Sequence, residues 1–365
     1  MTSSDLPQSC SPAPATHNGA LPGVPPSGAI HAPVRVRDQG ELIAGLPALI
    51  GFHPHGSLVL VSMGGESGKR VGLTLRVDLP PPEHEAELAA VAVRGLLLDD
   101  PAGAVVVVVG GAASPPGGAG LPHRRLAEHV GGALAEHGVE VHAVLWAEST
   151  AAGSPWRCYD SCGCAGVVPD AGSSAVLAAA VAGGQVVRGD RAALERLVAP
   201  ADDERIRRRE ELLVLAVERE LAGEPDLPDL APVLTAIADA QAGRLELDDE
   251  RVVRLAIALT APAVRDAALL RCAGPDAAGA EHLWAALARE TPDPEAAEPA
   301  ALLAVSALLR GDGALANVAL DRAEGAWPGH NLTGLLRLAT QAGVRPAEVR
   351  AWLGACAGPR AGSTR

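Results

Sequence analysis

Aromatic side chains are almost missing from this chain. One phenylalanine (Phe52), one tyrosine (Tyr159) and five tryptophans make up 2% of its 365 residues. Platforms on which bases or sugars stack are therefore scarce, and any core has to be assembled from Ala, Val and Leu. Lysine occurs once, at Lys69, so arginine carries nearly all of the positive charge. Even so, 30 basic residues face 44 acidic ones, a net charge of −14. That balance repels phosphate backbones and anionic lipid surfaces, so neither nucleic acid nor membrane is an expected partner. No apolar run long enough to span a bilayer is free of polar interruption. No Lys or Arg precedes Arg35 and no apolar stretch stands beside it. The N-terminus thus does not read as a signal peptide, and the cytoplasm is the expected compartment. Six cysteines in 365 residues do not make a secreted disulfide framework.

What is present is a globular composition, 48% hydrophobic and 20% charged, in a chain whose 365 residues suit two domains. Residues 1–33 hold seven prolines among Ser, Ala and Gly and read as a disordered tail. An α/β domain is expected over 34–200, built on a mostly parallel or mixed sheet with flanking helices. A short helix over 41–46 should stop at Pro47. Strands are expected over 57–63 (SLVLVSM) and 71–79 (VGLTLRVDL), joined by the Gly-rich turn 64–68. A helix follows over 83–98, with Leu88, Val91 and Leu96 as its apolar points. The continuous run AVVVVV at 104–109 suits a strand buried on both faces. A helix over 123–137, a strand over 139–146 and short helices over 173–182 and 190–198 complete the domain. The alternation of strand and helix argues for a parallel core.

An all-helical domain is expected over 201–358, with a short disordered tail over 359–365. Residues 202–220 carry 12 charges in 19 positions around Ile206, Leu213 and Val217, the pattern of a solvated amphipathic helix. Pro and Gly then punctuate helices at 230–242, 248–260, 262–273, 276–290, 296–310, 313–325, 330–342 and 346–356, which suits stacked hairpins. Ala304, Ala316, Leu320, Ala323 and Pro328 have the spacing of one tetratricopeptide-type hairpin, although the next 34 residues match poorly. An Ala-rich helical bundle explains the same residues. The acidic pairs Asp99–Asp100, Asp202–Asp203 and Asp248–Asp249 stand at helix ends and read as structural.

Two clusters carry chemistry. Cys158, Cys162 and Cys164 fall within seven residues, in PWRCYDSCGCAG. Thiolates bind zinc or iron, Gly163 and Gly166 allow a tight loop, and Asp160 or a distant His53, His55 or His142 would complete the set. The same thiols form a redox pair if Cys162 joins Cys164 or Cys158; otherwise they are small loop side chains. The second cluster is Phe52–His53–Pro54–His55–Gly56–Ser57, just before a strand. His53 or His55 would serve as base, Ser57 as nucleophile and Asp78 as the group orienting the His. Ser57 lacks the Gly-x-Ser-x-Gly frame, so the simpler expectation is a turn in which Ser57 hydrogen-bonds backbone. Gly110, Gly111, Gly117, Gly118 and Gly120 follow the valine strand without a dinucleotide or P-loop fingerprint.

Three stretches resemble a known family: LPALIGFHPHGSLVLV at 46–61, RVDL at 76–79 and CAGVVPD at 164–170, together with 188–194 and the helical RGDGALANVALDRA at 310–323. They are similar to the uncharacterised, mainly actinobacterial family DUF4192, over most of residues 40–345. The resemblance implies an architecture and no activity. The expected function is that of a cytoplasmic, non-enzymatic binding protein, with a protein or peptide partner on the helical domain. The alternative is a metal- or thiol-dependent enzyme or redox protein that uses Cys158, Cys162 and Cys164.

Overall fold

The computed structural model describes residues 38–65, 70–111, 120–170, 172, 174, 176–178, 186–222 and 229–357. The tails expected over 1–33 and 359–365, and most of the helix expected over 173–182, lie outside the described residues. The chain divides into two compact units, Met1–Arg191 and Ala192–Arg365.

Six strands form the sheet of the first unit: β1 (Ser57–Gly64), β2 (Arg70–Asp78), β3 (Gly103–Val109), β4 (Glu140–Ala147), β5 (Pro155–Cys158) and β6 (Ala165–Val167). Their order is β2-β1-β3-β4-β5-β6. Only β3 and β4 pair in parallel; the other neighbours are antiparallel. The expected parallel core is thus a single pair in a mixed sheet. The reason is connection length. Only five residues separate β1 from β2 and six separate β5 from β6, and so short a connection only returns a strand antiparallel. Helix α2 (Glu85–Leu97) carries the chain from β2 across β1 to β3, and α3 (Arg124–Glu136) makes the crossover from β3 to β4.

Alternation sends successive side chains to opposite faces. Leu58, Leu60, Val106, Val108 and Trp146 pack with Leu96 of α2 and Leu126, Val130 and Leu134 of α3. Val59, Val61, Val105, Val107 and Leu145 pack with Leu42, Ile43 and Leu46 of α1 (Gln39–Ile50). Every residue of β3 is buried, which is why its sequence is an unbroken apolar run. In α2 the buried line is Ala89, Ala92, Val93 and Leu96, while Val91 is exposed. The alanines, not the larger side chains, let this helix sit close to the sheet.

Helix α1 runs through Pro47 instead of stopping there. Its end is Gly51, left-handed at φ 95°, whose N–H donates to the Pro47 carbonyl at 2.8 Å. At the other edge Asp99 accepts from the Ser62 hydroxyl and from Leu73 N–H (2.8 Å). Gly72 makes room for it, because a Cβ there would collide with the carboxylate.

The second unit begins with α4 (Arg191–Glu195) and α5 (Asp203–Ala222) and continues through α6 (Ala231–Gln241), α7 (Asp249–Thr260), α8 (Pro262–Arg271), α9 (Ala277–Glu290), α10 (Ala297–Arg310), α11 (Gly313–Ala326), α12 (Asn331–Gln341) and α13 (Pro346–Ala357). Residues 297–307 of α10 are all buried, so this helix is the core around which the others pack. Helix α11 packs along it through Ala304, Ala316, Leu320 and Ala323, each at 0% exposure. Helix α12 leans on α10 and α11, whereas α13 packs on α8 and α10. The hairpin motif therefore occurs as one unit and does not continue as a stack.

Arg209 of α5, 2% exposed, ties the unit together. Its Nε donates to Asp249 Oδ1 at 2.7 Å, its Nη1 to the Glu290 carbonyl at 2.8 Å, and it also pairs with the Glu290 carboxylate. Two of the acidic pairs supply helix caps, Asp202 accepting from Arg205 N–H at 3.0 Å and Asp248 from Arg251 N–H at 2.7 Å, whereas Asp99 of the third serves the strands.

Candidate functional site

The string Phe52–Ser57 leads into β1 beside the carboxyl end of β3, because β1 runs against β3 with Ser57 opposite Val109. Phe52 bridges to Arg188; His53 N–H donates to the Arg188 carbonyl at 3.2 Å and Arg188 N–H to Gly51 at 2.8 Å. The backbone of Gly56 then meets that of Gly110. Gly110 has φ 114°, and a Cβ on it would lie 3.0 Å from Gly56 N. Gly110 is held from the other side as well, donating to the Ala147 carbonyl and accepting from Trp146 Nε1, both at 2.9 Å. Gly111, at φ 73°, follows beside Pro122 and His123.

Three connections thus converge at the carboxyl end of the parallel pair: the lead into β1, the β3–α3 loop and the exit from β4. In open α/β sheets this is where ligands sit. His53 Nδ1 and the buried Thr150 Oγ1 join two of these connections at 2.9 Å. Burial, with a smaller push from His55, lowers the pKa of His53 and so favours its neutral form. With Nδ1 engaged, Nε2 is the ring's remaining polar atom. His123, which opens α3, lies 3.7 Å from the carboxylate of the buried Glu85.

The arrangement His–Ser–Asp expected for nucleophilic chemistry is not formed. Ser57 is fully buried and donates to the His55 carbonyl at 2.7 Å. Arg76 Nε donates back to Ser57 Oγ at 2.8 Å. Asp78 pairs with Arg76 at 2.5 Å and orients no histidine, while His53 turns to Thr150. Arg76 also lies over the Phe52 ring at 5.6 Å. A serine whose proton points at a carbonyl and whose lone pair receives a guanidinium has no base to activate it. The structural role of Ser57 at the strand start is what the geometry shows.

The cysteines lie in the β5–β6 hairpin. Cys158 pairs with Leu145, two residues inside the carboxyl end of β4. Its N–H donates to the Cys164 carbonyl at 2.9 Å and its thiol to Asp160 Oδ2 at 3.2 Å. Burial first, then the Asp160 carboxylate and the adjoining Cys162, push the Cys158 thiol up to about 12. Cys162 is exposed and Cys164 half-buried. Among the described residues, no three His, Cys, Asp or Glu side chains are arranged to hold a metal ion. The structure therefore does not gather Cys158, Cys162 and Cys164 as a ligand set, and it does not add His53, His55 or His142 to them. Gly117 and Gly118 lie outside the described residues.

Sequence reasoning missed Thr150, Arg76 and Arg188. Thr150 had a signal, since it follows directly on a strand parallel to the valine strand. The other two are fixed only by pairing across the sheet. On the second unit, Leu335 and Leu338 of α12 are 66% and 65% exposed, one helical turn apart.

The family described as "Domain of unknown function (DUF4192)" matches residues 40–347. No curated protein and no solved structure matches the chain. With most of its length matched, the chain belongs to the DUF4192 family.

Proposed function

We propose that this DUF4192 member is a cytoplasmic, non-enzymatic binding protein whose α/β unit takes a small polar ligand at the carboxyl end of the β3–β4 pair. The hydrogen bond between His53 and Thr150 carries this reading. It ties the segment before β1 to the segment after β4 and fixes an imidazole whose neutral form is favoured, with Nε2 as its remaining polar atom. Gly110 and Gly111 place backbone, not side chains, at the same edge. The reactive groups nearby are already committed: Ser57 to a carbonyl and Arg76, Asp78 to Arg76. Such a site binds and orients without an activated nucleophile. No helix among the described residues is long and apolar enough to cross a membrane, and the acidic balance disfavours polyanions as ligands.

The test is release of co-purified small molecules from denatured wild-type protein and from His53→Ala, read by mass spectrometry and followed by thermal shift with each species found. The expected result is a compound that raises the melting temperature of wild type and not of the variant. A compound that stabilises both equally, or a pool that contains none, sinks the reading.

The helical unit supports a second reading. Leu335 and Leu338 form an apolar strip on α12 that α10 and α11 do not cover. A protein or peptide partner presenting an apolar helix face fits this strip. Leu335→Asp with Leu338→Asp should abolish capture of such a partner while leaving the helical content unchanged.

A further inference from the structure

Cys158 and Cys164 face each other across the β5–β6 hairpin. The register runs Pro155↔Val167, Trp156↔Gly166 and Arg157↔Ala165, so the next position sets Cys158 opposite Cys164. Cys158 N–H donates to the Cys164 carbonyl at 2.9 Å, which makes the two a hydrogen-bonded cross-strand pair. Residues directly opposite share a face of the sheet. Cys158 accordingly belongs to the apolar cluster under α1, and Cys164 packs against that same cluster. Such a pair stands about 5.5 Å apart at Cα, inside the usual disulfide range of about 4.4–6.8 Å. The base of the hairpin is also held from its other side. Tyr159 N–H donates to the Val144 carbonyl at 2.8 Å, and the Tyr159 hydroxyl donates to the Pro122 carbonyl. The backbone is therefore in place for a bond before the bond forms. In the reduced protein the Cys158 thiol donates to Asp160 Oδ2 at 3.2 Å, so closure turns that side chain from the carboxylate to the neighbouring strand. Cys162 lies outside the paired positions, exposed in the turn and followed by Gly163 at φ 70°.

We propose that Cys158 and Cys164 form a reversible cross-strand disulfide by exchange with a low-molecular-weight disulfide, which closes the hairpin as a redox-sensitive staple. In the first step the Cys164 thiolate attacks one sulfur of the external disulfide. A Cys164–S–S–R bond forms, the external S–S bond breaks, and the first thiolate leaves with the electron pair and takes a proton from water. In the second step Cys158 attacks the Cys164 sulfur. The Cys158–Cys164 bond forms, the mixed disulfide breaks, and the Cys158 proton goes with the second leaving thiolate. The two protein thiols are oxidised and one external disulfide is reduced to two thiols. Cys164 is half-buried and Cys158 buried, so exchange starts at Cys164. Cys158 acts second, on a sulfur that the register holds beside it. In a reducing compartment the thiols persist, and the bond forms as the pool of external disulfide rises.

The test uses the full chain, as wild type, Cys162→Ser and Cys164→Ser, equilibrated with oxidised and reduced glutathione, quenched by alkylation and digested with trypsin. Cleavage after Arg157 and Arg188 leaves Cys158, Cys162 and Cys164 in one peptide, with no other cysteine. Neither substitution touches Cys158 or the strand backbone. In Cys162→Ser that peptide should lose two hydrogens, carry no glutathione and regain both hydrogens on reduction with dithiothreitol. In wild type the same bond should form, and Cys162 should be the residue that takes the alkylating label or glutathione. Cys164→Ser should not close. The equilibrium constant for closure in folded Cys162→Ser should exceed that of the same chain unfolded in urea by about tenfold or more, because the paired strands hold the two residues together. A link to Cys162 in wild type, closure in Cys164→Ser equal to that of wild type, a stable glutathione adduct on Cys164, or a constant no higher in the folded chain than in urea overturns the proposal.

Discussion

His53 and Thr150 stand 97 residues apart in the chain and 2.9 Å apart in space, Nδ1 to Oγ1. This bond fastens the segment before β1 to the segment after β4, with β3 between them. Thr150→Val keeps the shape of the side chain and removes the hydroxyl, leaving Nδ1 of a half-buried ring without its partner. The expected loss is about 1–2 kcal/mol, with Thr150→Ser close to wild type. Urea denaturation of the two variants measures it.

His53 also sets a pH dependence. Burial first, and His55 second, lower its pKa from the ordinary 6.5. The unfolded chain protonates this ring at the ordinary value, the folded chain only at the lowered one. Between the two the unfolded state binds more protons, so stability rises with pH across the window and is lost as pH falls through it. His53→Gln removes that component. The wild-type unfolding midpoint should therefore drop more steeply than the variant's between about pH 7 and pH 5. Parallel slopes would exclude His53 as the source.

How much of this was legible in the sequence depended on where the determining partner lay. The helices of the second unit were readable because their signals are local. Asp248 caps α7, Pro262 opens α8, and Gly311 at φ 81° with Asp312 separates α10 from α11. Strand directions were not readable, since the same strand–helix alternation serves a parallel sheet and the present β2–α2–β3 path across β1. Strands β5 and β6, of four and three residues, are too short to show a period. The string at 52–57 was visible as a cluster, but its roles were not. Arg76, which occupies Ser57, comes from a strand whose pairing no local pattern fixes, and Thr150, which holds His53, from the segment three residues past β4, brought to His53 only by the order of the strands.

Arg76 separates a structural Ser57 from a nucleophilic one. Arg76 is 13% exposed and Asp78 79% exposed, so their pair is screened by water and Asp78→Asn should cost no more than about 0.5 kcal/mol. Arg76→Ala removes more: the bond to Ser57 Oγ at 2.8 Å and the contact with the Phe52 ring at 5.6 Å. A loss of about 2 kcal/mol is expected. Ser57→Ala should cost about 1 kcal/mol and leave ligand binding within a factor of two of wild type. Binding measured by calorimetry with any ligand from the co-purification experiment decides this, because a reacting Ser57 would show covalent labelling that Ser57→Ala abolishes.

Gly110 is irreplaceable for two independent reasons. Its φ of 114° is strained for any L side chain, and a Cβ would press on Gly56 N at 3.0 Å, which is backbone and has no rotamer to yield. Gly110→Ala should destabilise the first unit by more than 1 kcal/mol. Gly138, at φ 73° with nothing near its Cβ, supplies the control. Gly138→Ala meets only the milder strain of a near left-handed backbone, so the larger drop in melting temperature for Gly110→Ala reports its more extreme φ together with the contact with Gly56.

Arg209 makes the strongest prediction for the second unit. The guanidinium is 2% exposed, while its acceptors Asp249 and Glu290 are 30% and 17% exposed. Arg209→Met keeps the apolar stem and removes the charge, leaving two carboxylates and the Glu290 carbonyl to find other donors. Arg208 reaches Asp249 at 3.4 Å and Arg205 reaches Glu290 at 3.3 Å, so each carboxylate keeps one partner. The cost is therefore at the low end for a broken buried pair, about 3 kcal/mol. Burial alone would raise the Asp249 carboxyl, yet hydrogen bonds from Arg209 and then Arg208 outweigh it and hold the group below its ordinary 3.8. A depressed carboxylate stabilises the fold above its unfolded pKa and loses that stabilisation as pH falls through the folded one. Arg209→Met should accordingly be most destabilising at neutral pH and converge on wild type below about pH 3. A constant difference at every pH would mean that Arg209 acts through packing alone.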